Sequence, residues 1–140
     1  MADLPESRKA VALTFVEAIN RRNVDDMARL VTADFVFVDP LGMRVEGWEK
    51  MKSGWTAYFG MVPDYTIAIE ETYADGPVVL LFGTARGTYA AEGRMLPENR
   101  WQTPAAWWAG IRGTQVAERR VYADNEPMRQ LMAKSRRTAP

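Results

Sequence analysis

The chain has no cysteine and no histidine. The first absence excludes disulfides and thiolate chemistry. The second removes the side chain that most often serves as a base near neutral pH and as a ligand to transition metals. Acid–base chemistry therefore falls to Asp, Glu, Tyr, Lys or Arg, and no metal or cofactor is expected. Net charge is missing too: 18 basic and 18 acidic side chains cancel. That leaves no broad field to draw nucleic acid or an anionic membrane. No window approaches the ~20 apolar residues of a membrane span. Residues 1–6 have neither the basic head nor the apolar run of a signal peptide. These absences lead us to expect a cytoplasmic protein with no nucleic-acid or membrane partner.

What is present is apolar bulk. Hydrophobic residues make up 47% of the 140, with five Trp, five Tyr, five Phe and eight Met. This suffices for one domain with a real core. Large side chains in such number either fill a core or line an apolar pocket, and composition does not separate the two.

Asp3 with Glu6 three residues on has the spacing of a capping box opening a helix. Val11, Phe15 and Ile19 then recur every four residues, and the helix ends near Arg21-Arg22. Asn23 is a suitable N-cap for a second helix over 24–31, with Met27, Leu30 and Val31 inward. Trp48, Met51, Trp55, Tyr58 and Phe59 mark a third helix over 47–60 with an aromatic inner face. From Pro63 the period changes to two. Strands are expected over 64–73, 78–89, 99–110 and 114–123, with a tight turn at Asp75-Gly76 and a looser connection through Glu92-Gly93 and Pro97. Gly83 and Gly87 would let the second of these strands bend. The tail is expected to be short, with one helical turn around 128–132 before a solvated basic end.

Between the second and third helices lies Phe35-Val36-Phe37-Val38-Asp39-Pro40-Leu41-Gly42. Phe35, Phe37 and Asp39 share one strand face, and Pro40 and Gly42 end the strand in a turn. A carboxylate in register with two phenylalanines is costly to bury unless something uses it. Asp39 is then either a base facing a cavity or the acceptor that closes its own turn. The whole order predicts an α+β fold: a curved antiparallel sheet wrapped, cone-like, around three N-terminal helices, with an internal pocket at the mouth.

Two stretches carry a family resemblance. One runs from Phe15-Val16-Glu17-Ala18-Ile19-Asn20 through the Asp39 turn to Glu46-Gly47. The other is Gly113-Thr114-Gln115-Val116-Ala117-Glu118-Arg119-Arg120-Val121-Tyr122-Ala123-Asp124. The chain resembles the nuclear transport factor 2-like superfamily, which includes ketosteroid isomerase, SnoaL-type polyketide cyclases and limonene epoxide hydrolase. Asp39 matches the general-base aspartate of ketosteroid isomerase in its Asp-Pro-x-Gly turn. The two oxyanion donors of that enzyme fall at Phe15 and near Ala106, neither of which can donate. The Arg and two Asp of the epoxide hydrolase fall at Gly83, Ala85 and Val121. The resemblance therefore implies neither efficient ketosteroid isomerisation nor epoxide hydrolysis.

What remains implied is a cofactor-independent isomerase, cyclase or lyase acting on a small hydrophobic carbonyl compound, such as a polyketide or steroid-like molecule. Asp39 would be its base. The resemblance places Glu118, Arg120 and Tyr122 on the inner face of the last strand. Arg120, Tyr122 and Tyr58 would serve the reaction, and Phe15, Phe35, Phe37, Trp55, Trp108 and Glu118 would line the substrate site. Each has an alternative. The Trp48–Phe59 stripe can be plain core, and Glu118 with Arg120 can be a salt bridge on an exposed face. Trp101, Ala105 and Trp107 would form an apolar outer surface through which the chain pairs as a homodimer. A non-catalytic ligand-binding or dimerisation module on the same fold is the competing function.

Overall fold

The computed structural model describes residues 4–138, so the proposed cap at Asp3 lies outside it. Helices α1 (Leu4–Asn20) and α2 (Val24–Arg29) lead into strands β1 (Val31–Val38) and β2 (Arg44–Glu46). Helix α3 (Trp48–Met61) precedes strands β3 (Thr66–Asp75), β4 (Val78–Ala91), β5 (Arg94–Arg112) and β6 (Gln115–Ala123), and helix α4 (Glu126–Thr138) ends the chain. The six strands form one sheet in the order β2-β1-β6-β5-β4-β3. This is the expected α+β cone with three corrections. The sheet is mixed, because β1 runs parallel to β6. A short strand, β2, returns antiparallel to β1 after the Asp39 turn. The tail is a 13-residue helix rather than a single turn.

Local chemistry accounts for each element. The side chain of Asn23 accepts from the Asp26 amide and caps α2. At the β4–β5 turn Glu92 and Gly93 both take positive φ, 52° and 77°. Two successive left-handed residues make a tight hairpin, not a loose connection. Pro97 sits where the ladder lapses between the Ala90↔Met95 and Thr88↔Arg100 pairs, so its missing N–H breaks no bond. In α4, Pro127 occupies the first turn, where its N–H would be unpaired anyway. Met128, Leu131 and Met132 then turn one apolar stripe toward the core.

The core lies between α1 and the concave face of the sheet. Phe15, Val16 and Ile19 of α1 are buried with Val79 and Leu81 of β4 and Trp107 of β5. Asn20 pins the end of α1 to β3: its Nδ2 donates to the Ile67 carbonyl at 2.9 Å and its Oδ1 accepts from the Ile67 amide at 2.8 Å. Gly83 lies beside an irregularity in the β3–β4 ladder, where a Cβ would stand 1.9 Å from the Ala68 carbonyl oxygen. Only glycine allows the two strands to approach there, which is what lets the sheet curve.

Candidate active site

Asp39 is the first residue past β1. Its main chain continues the hairpin, with the amide donating to the Met43 carbonyl at 3.0 Å and the carbonyl accepting from Gly42 at 2.9 Å. Gly42 takes φ of 83°, which closes the turn that Pro40 opens. The side chain joins in: Oδ1 accepts from the Leu41 amide at 2.9 Å and the Met43 amide at 3.0 Å. Oδ2 has no hydrogen-bond partner among the described residues. One oxygen therefore fixes the carboxylate, and the other is free to act. Asp39, with Pro40 and Leu41 of its turn, is among the residues lining a cavity of about 400 Å³.

The rest of the lining is mostly aromatic. Phe37 from β1, Trp55 and Tyr58 from α3, Tyr65 ahead of β3, and Trp101 and Trp107 from β5 form the walls, and Met128 and Met132 of α4 close over them. The rings meet edge to face: Phe37 to Trp55 at 6.3 Å, Trp55 to Tyr58 at 6.3 Å and Tyr58 to Tyr65 at 5.1 Å. Burial pushes the Tyr58 and Tyr65 hydroxyls well above the ordinary phenol range, opposed at Tyr65 by the nearby Arg119. Both phenols thus keep their protons and can donate. Among the described residues no group of three acidic side chains is placed to hold a metal.

Of the residues expected at the site, the cavity brings together Asp39, Phe37, Trp55 and Tyr58. Phe15 and Phe35 point inward but are packed under the cavity. Their rings lie 6.2 Å apart, and Phe35 also meets Trp48 at 6.3 Å. They are core, not lining.

Trp108, Glu118, Arg120 and Tyr122 require a correction, because all four stand on the outer face. Arg120 pairs with Glu118 and lies over the Trp108 ring at 4.0 Å, and Tyr122 is 56% exposed. Ala106, matched to the second oxyanion donor, faces outward with them, opposite Tyr122. Conversely Trp101, Ala105 and Trp107, expected outside, are buried on the inner face.

On β6 the cause is a β-bulge, whereas β5 keeps an unbroken alternation, with Trp101, Thr103, Ala105, Trp107 and Ala109 buried and Trp108 on the other face. Ile111 pairs with Val116 but the neighbouring Gly110 pairs with Glu118, so β6 spends one extra residue at Ala117. Val116 faces inward, and a strict period of two from it predicts 118, 120 and 122. The extra residue moves the inner set to 119, 121 and 123.

The residue this shift brings inside is Arg119. It is 2% exposed, lines the cavity, and forms no ion pair among the described residues. Its guanidinium lies over the Phe15 ring at 5.4 Å and the Trp107 ring at 5.7 Å. Burial lowers its pKa to about 10, partly offset by the Tyr65 phenol, so it stays charged at neutral pH. The one sequence signal for Arg119 was the doublet Arg119-Arg120, which places a cation inside whichever parity holds.

The family model of the SnoaL-like domain matches residues 12–123. The chain belongs to this family. The cone agrees with solved structures of low identity. One is a candidate SnoaL-like polyketide cyclase from Shewanella putrefaciens CN-32, with a TM-score of 0.79, 17% identity and coverage of 94% of this chain and 99% of that one. Another is IdmH from Streptomyces antibioticus, also a candidate polyketide cyclase, with a TM-score of 0.76, 19% identity and coverage of 90% and 98%. A third is an LEH-like epoxide hydrolase of M. tuberculosis, with a TM-score of 0.76, 17% identity and coverage of 95% and 94%. At these identities the likeness establishes the SnoaL-like fold alone. No curated protein matches the sequence. No helix among the described residues is long and apolar enough to cross a membrane.

Proposed function

We propose that this SnoaL-like protein is a cofactor-independent acid–base enzyme, of isomerase, cyclase or lyase type, acting on a small and largely apolar carbonyl compound. One observation carries the reading. The Asp39 carboxylate is held by two backbone amides on Oδ1, while Oδ2 is unengaged and Asp39 is among the residues lining an apolar cavity. A base needs this combination of fixed position and free lone pair.

In the proposed step, Oδ2 takes a proton from the carbon next to the carbonyl, and the C–H electron pair moves to the carbonyl oxygen as an enolate. The enolate then either regains the proton at another carbon or attacks an internal electrophile. Tyr58, Tyr65, Arg119 and the Trp55 and Trp101 indoles are donors around the cavity. Such a base contributes about 10²–10⁴ in rate.

Exchange of the substrate's α-protons in D2O, followed by proton NMR on a panel of enolisable ketones, reads this step without knowledge of the product. Asp39→Asn should slow exchange by about 10²–10⁴ with the fold intact. Undiminished exchange in that variant would remove Asp39 from the mechanism. The second reading, a ligand-binding module without catalysis, draws on the turn-closing role of Oδ1. It would be favoured by ketones that bind the wild type and do not exchange.

A further inference from the structure

Arg119 forms no hydrogen bond or ion pair among the described residues, so it carries an uncompensated charge. Buried charges are ordinarily paired, because leaving one unpaired is strongly destabilising. Two weak ring contacts do not replace a carboxylate. The other buried polar atoms around the cavity repeat the pattern. Trp55 Nε1, Trp101 Nε1, Arg119 Nη1 and Arg119 Nη2 all lack a hydrogen-bond partner, and all four belong to residues lining the cavity. Every one is a donor only. Unmet donors and a positive charge thus lie buried just beneath the cavity lining, beside apolar rings. The carboxylate available, Asp39, is fixed in its own turn and forms no ion pair with Arg119. A ligand that completes this site must supply acceptors, and at least one of them should be negative.

We infer that the ligand of this cavity is an apolar anion whose oxygen head group docks on the Arg119 guanidinium, with a further acceptor oxygen toward the Trp55 and Trp101 indoles. The head group is either a carboxylate or the enolate of a β-dicarbonyl, which present the same chemistry to a guanidinium. Arg119 is a binding residue here. The inference rests on the cavity being the ligand site and not on Asp39 acting as a base.

The test is calorimetric titration of the full chain with two matched pairs at about pH 8. One pair is naphthoate and its methyl ester. The other is an aryl β-diketone and its α,α-dimethyl derivative, which cannot enolise. The anion of at least one pair should bind roughly 10- to 150-fold more tightly than its neutral partner, the range of a charge-assisted hydrogen bond. A preference confined to the first pair assigns a carboxylate, and one confined to the second assigns an enolate. Arg119→Met should abolish the preference and Arg119→Lys should keep part of it. Equal binding within both pairs overturns the inference, as does no binding by any probe or a preference that survives in Arg119→Met. If Asp39→Asn leaves proton exchange unchanged while the anion preference holds, only the catalytic reading fails.

Discussion

Replacing Arg119 with methionine should leave the protein at least as stable as the wild type. A pKa held at about 10, well under the usual guanidinium range, measures what the fold loses by keeping this charge. Each step of one in pKa corresponds to about 1.4 kcal/mol, which puts the loss at about 3 kcal/mol. Methionine keeps an unbranched chain of similar reach and removes the charge. It also gives up the contacts over Phe15 and Trp107, each worth about 0.5–1 kcal/mol at an exposed site and about 2 kcal/mol when desolvated. The net gain is therefore about 1–2 kcal/mol at the lower contact values, roughly 3–6 °C in Tm for a chain of this length, and about zero at the desolvated ones.

The pH dependence follows from the same shift. Below about pH 10 the arginine is charged in both folded and unfolded chains and the full penalty is present. Above it the folded state releases the proton first, so wild-type stability rises relative to the variant. The stability of Arg119→Met relative to wild type should therefore be constant from neutral pH to about 9 and fall beyond 10. Urea unfolding of both proteins across that range, with m-values compared, measures it. A variant less stable than wild type by about 1 kcal/mol or more at neutral pH would show that Arg119 is structural.

Gly83→Ala should destabilise by about 3 kcal/mol or more, because the new methyl meets the Ala68 carbonyl, a backbone atom that cannot swing aside. Thermal unfolding reads this, and a loss under about 1 kcal/mol would show that the strands can separate there. Asp64 accepts from both the amide and the hydroxyl of buried Thr88, each at 2.7 Å. Asp64→Ala leaves both donors unmet and should lower stability by about 2 kcal/mol or more in urea unfolding. We propose that the outer sheet face pairs with a second copy of the chain. Register aligns Val38, Arg120, Trp108, Leu80 and Tyr73 in one row across it, with Phe82 39% exposed alongside. Light scattering should then give about twice 15.8 kDa for the wild type and a monomer for Phe82→Glu. A monomeric wild type at tens of micromolar would end that proposal.

Much of the architecture was legible because it is written in local patterns. The Phe15–Ile19 spacing, the Trp48–Phe59 stripe, the Asp75-Gly76 turn and the alternation through Ile67 each report a single element. The full length of helix α4 was not legible because its apolar stripe is only Met128, Leu131 and Met132 in a strongly charged segment, and it is held by packing against β4 and β5. Strand β2 is too short to show a period. It exists because the Asp39 hairpin brings Val45 opposite Phe37.

The sequence by itself determined the order of elements, the absence of thiol and imidazole chemistry, and the position of Asp39 at the end of an aromatic strand. These depend on residue identity and on neighbours within a few positions. Which face of β5 and β6 looks into the cone was decided only by the tertiary structure. Both strands offer a suitable residue either way, with Trp107 next to Trp108 and Arg119 next to Arg120. A period of two cannot choose between such doublets. On β6 the choice was made by one extra residue at Ala117, set by pairing between strands and invisible along the chain, and on β5 by the packing that buries Trp107 in the core and leaves Trp108 under Arg120. The extra residue on β6 puts Arg119 in the wall of the cavity that Asp39 also lines and leaves Arg120 outside.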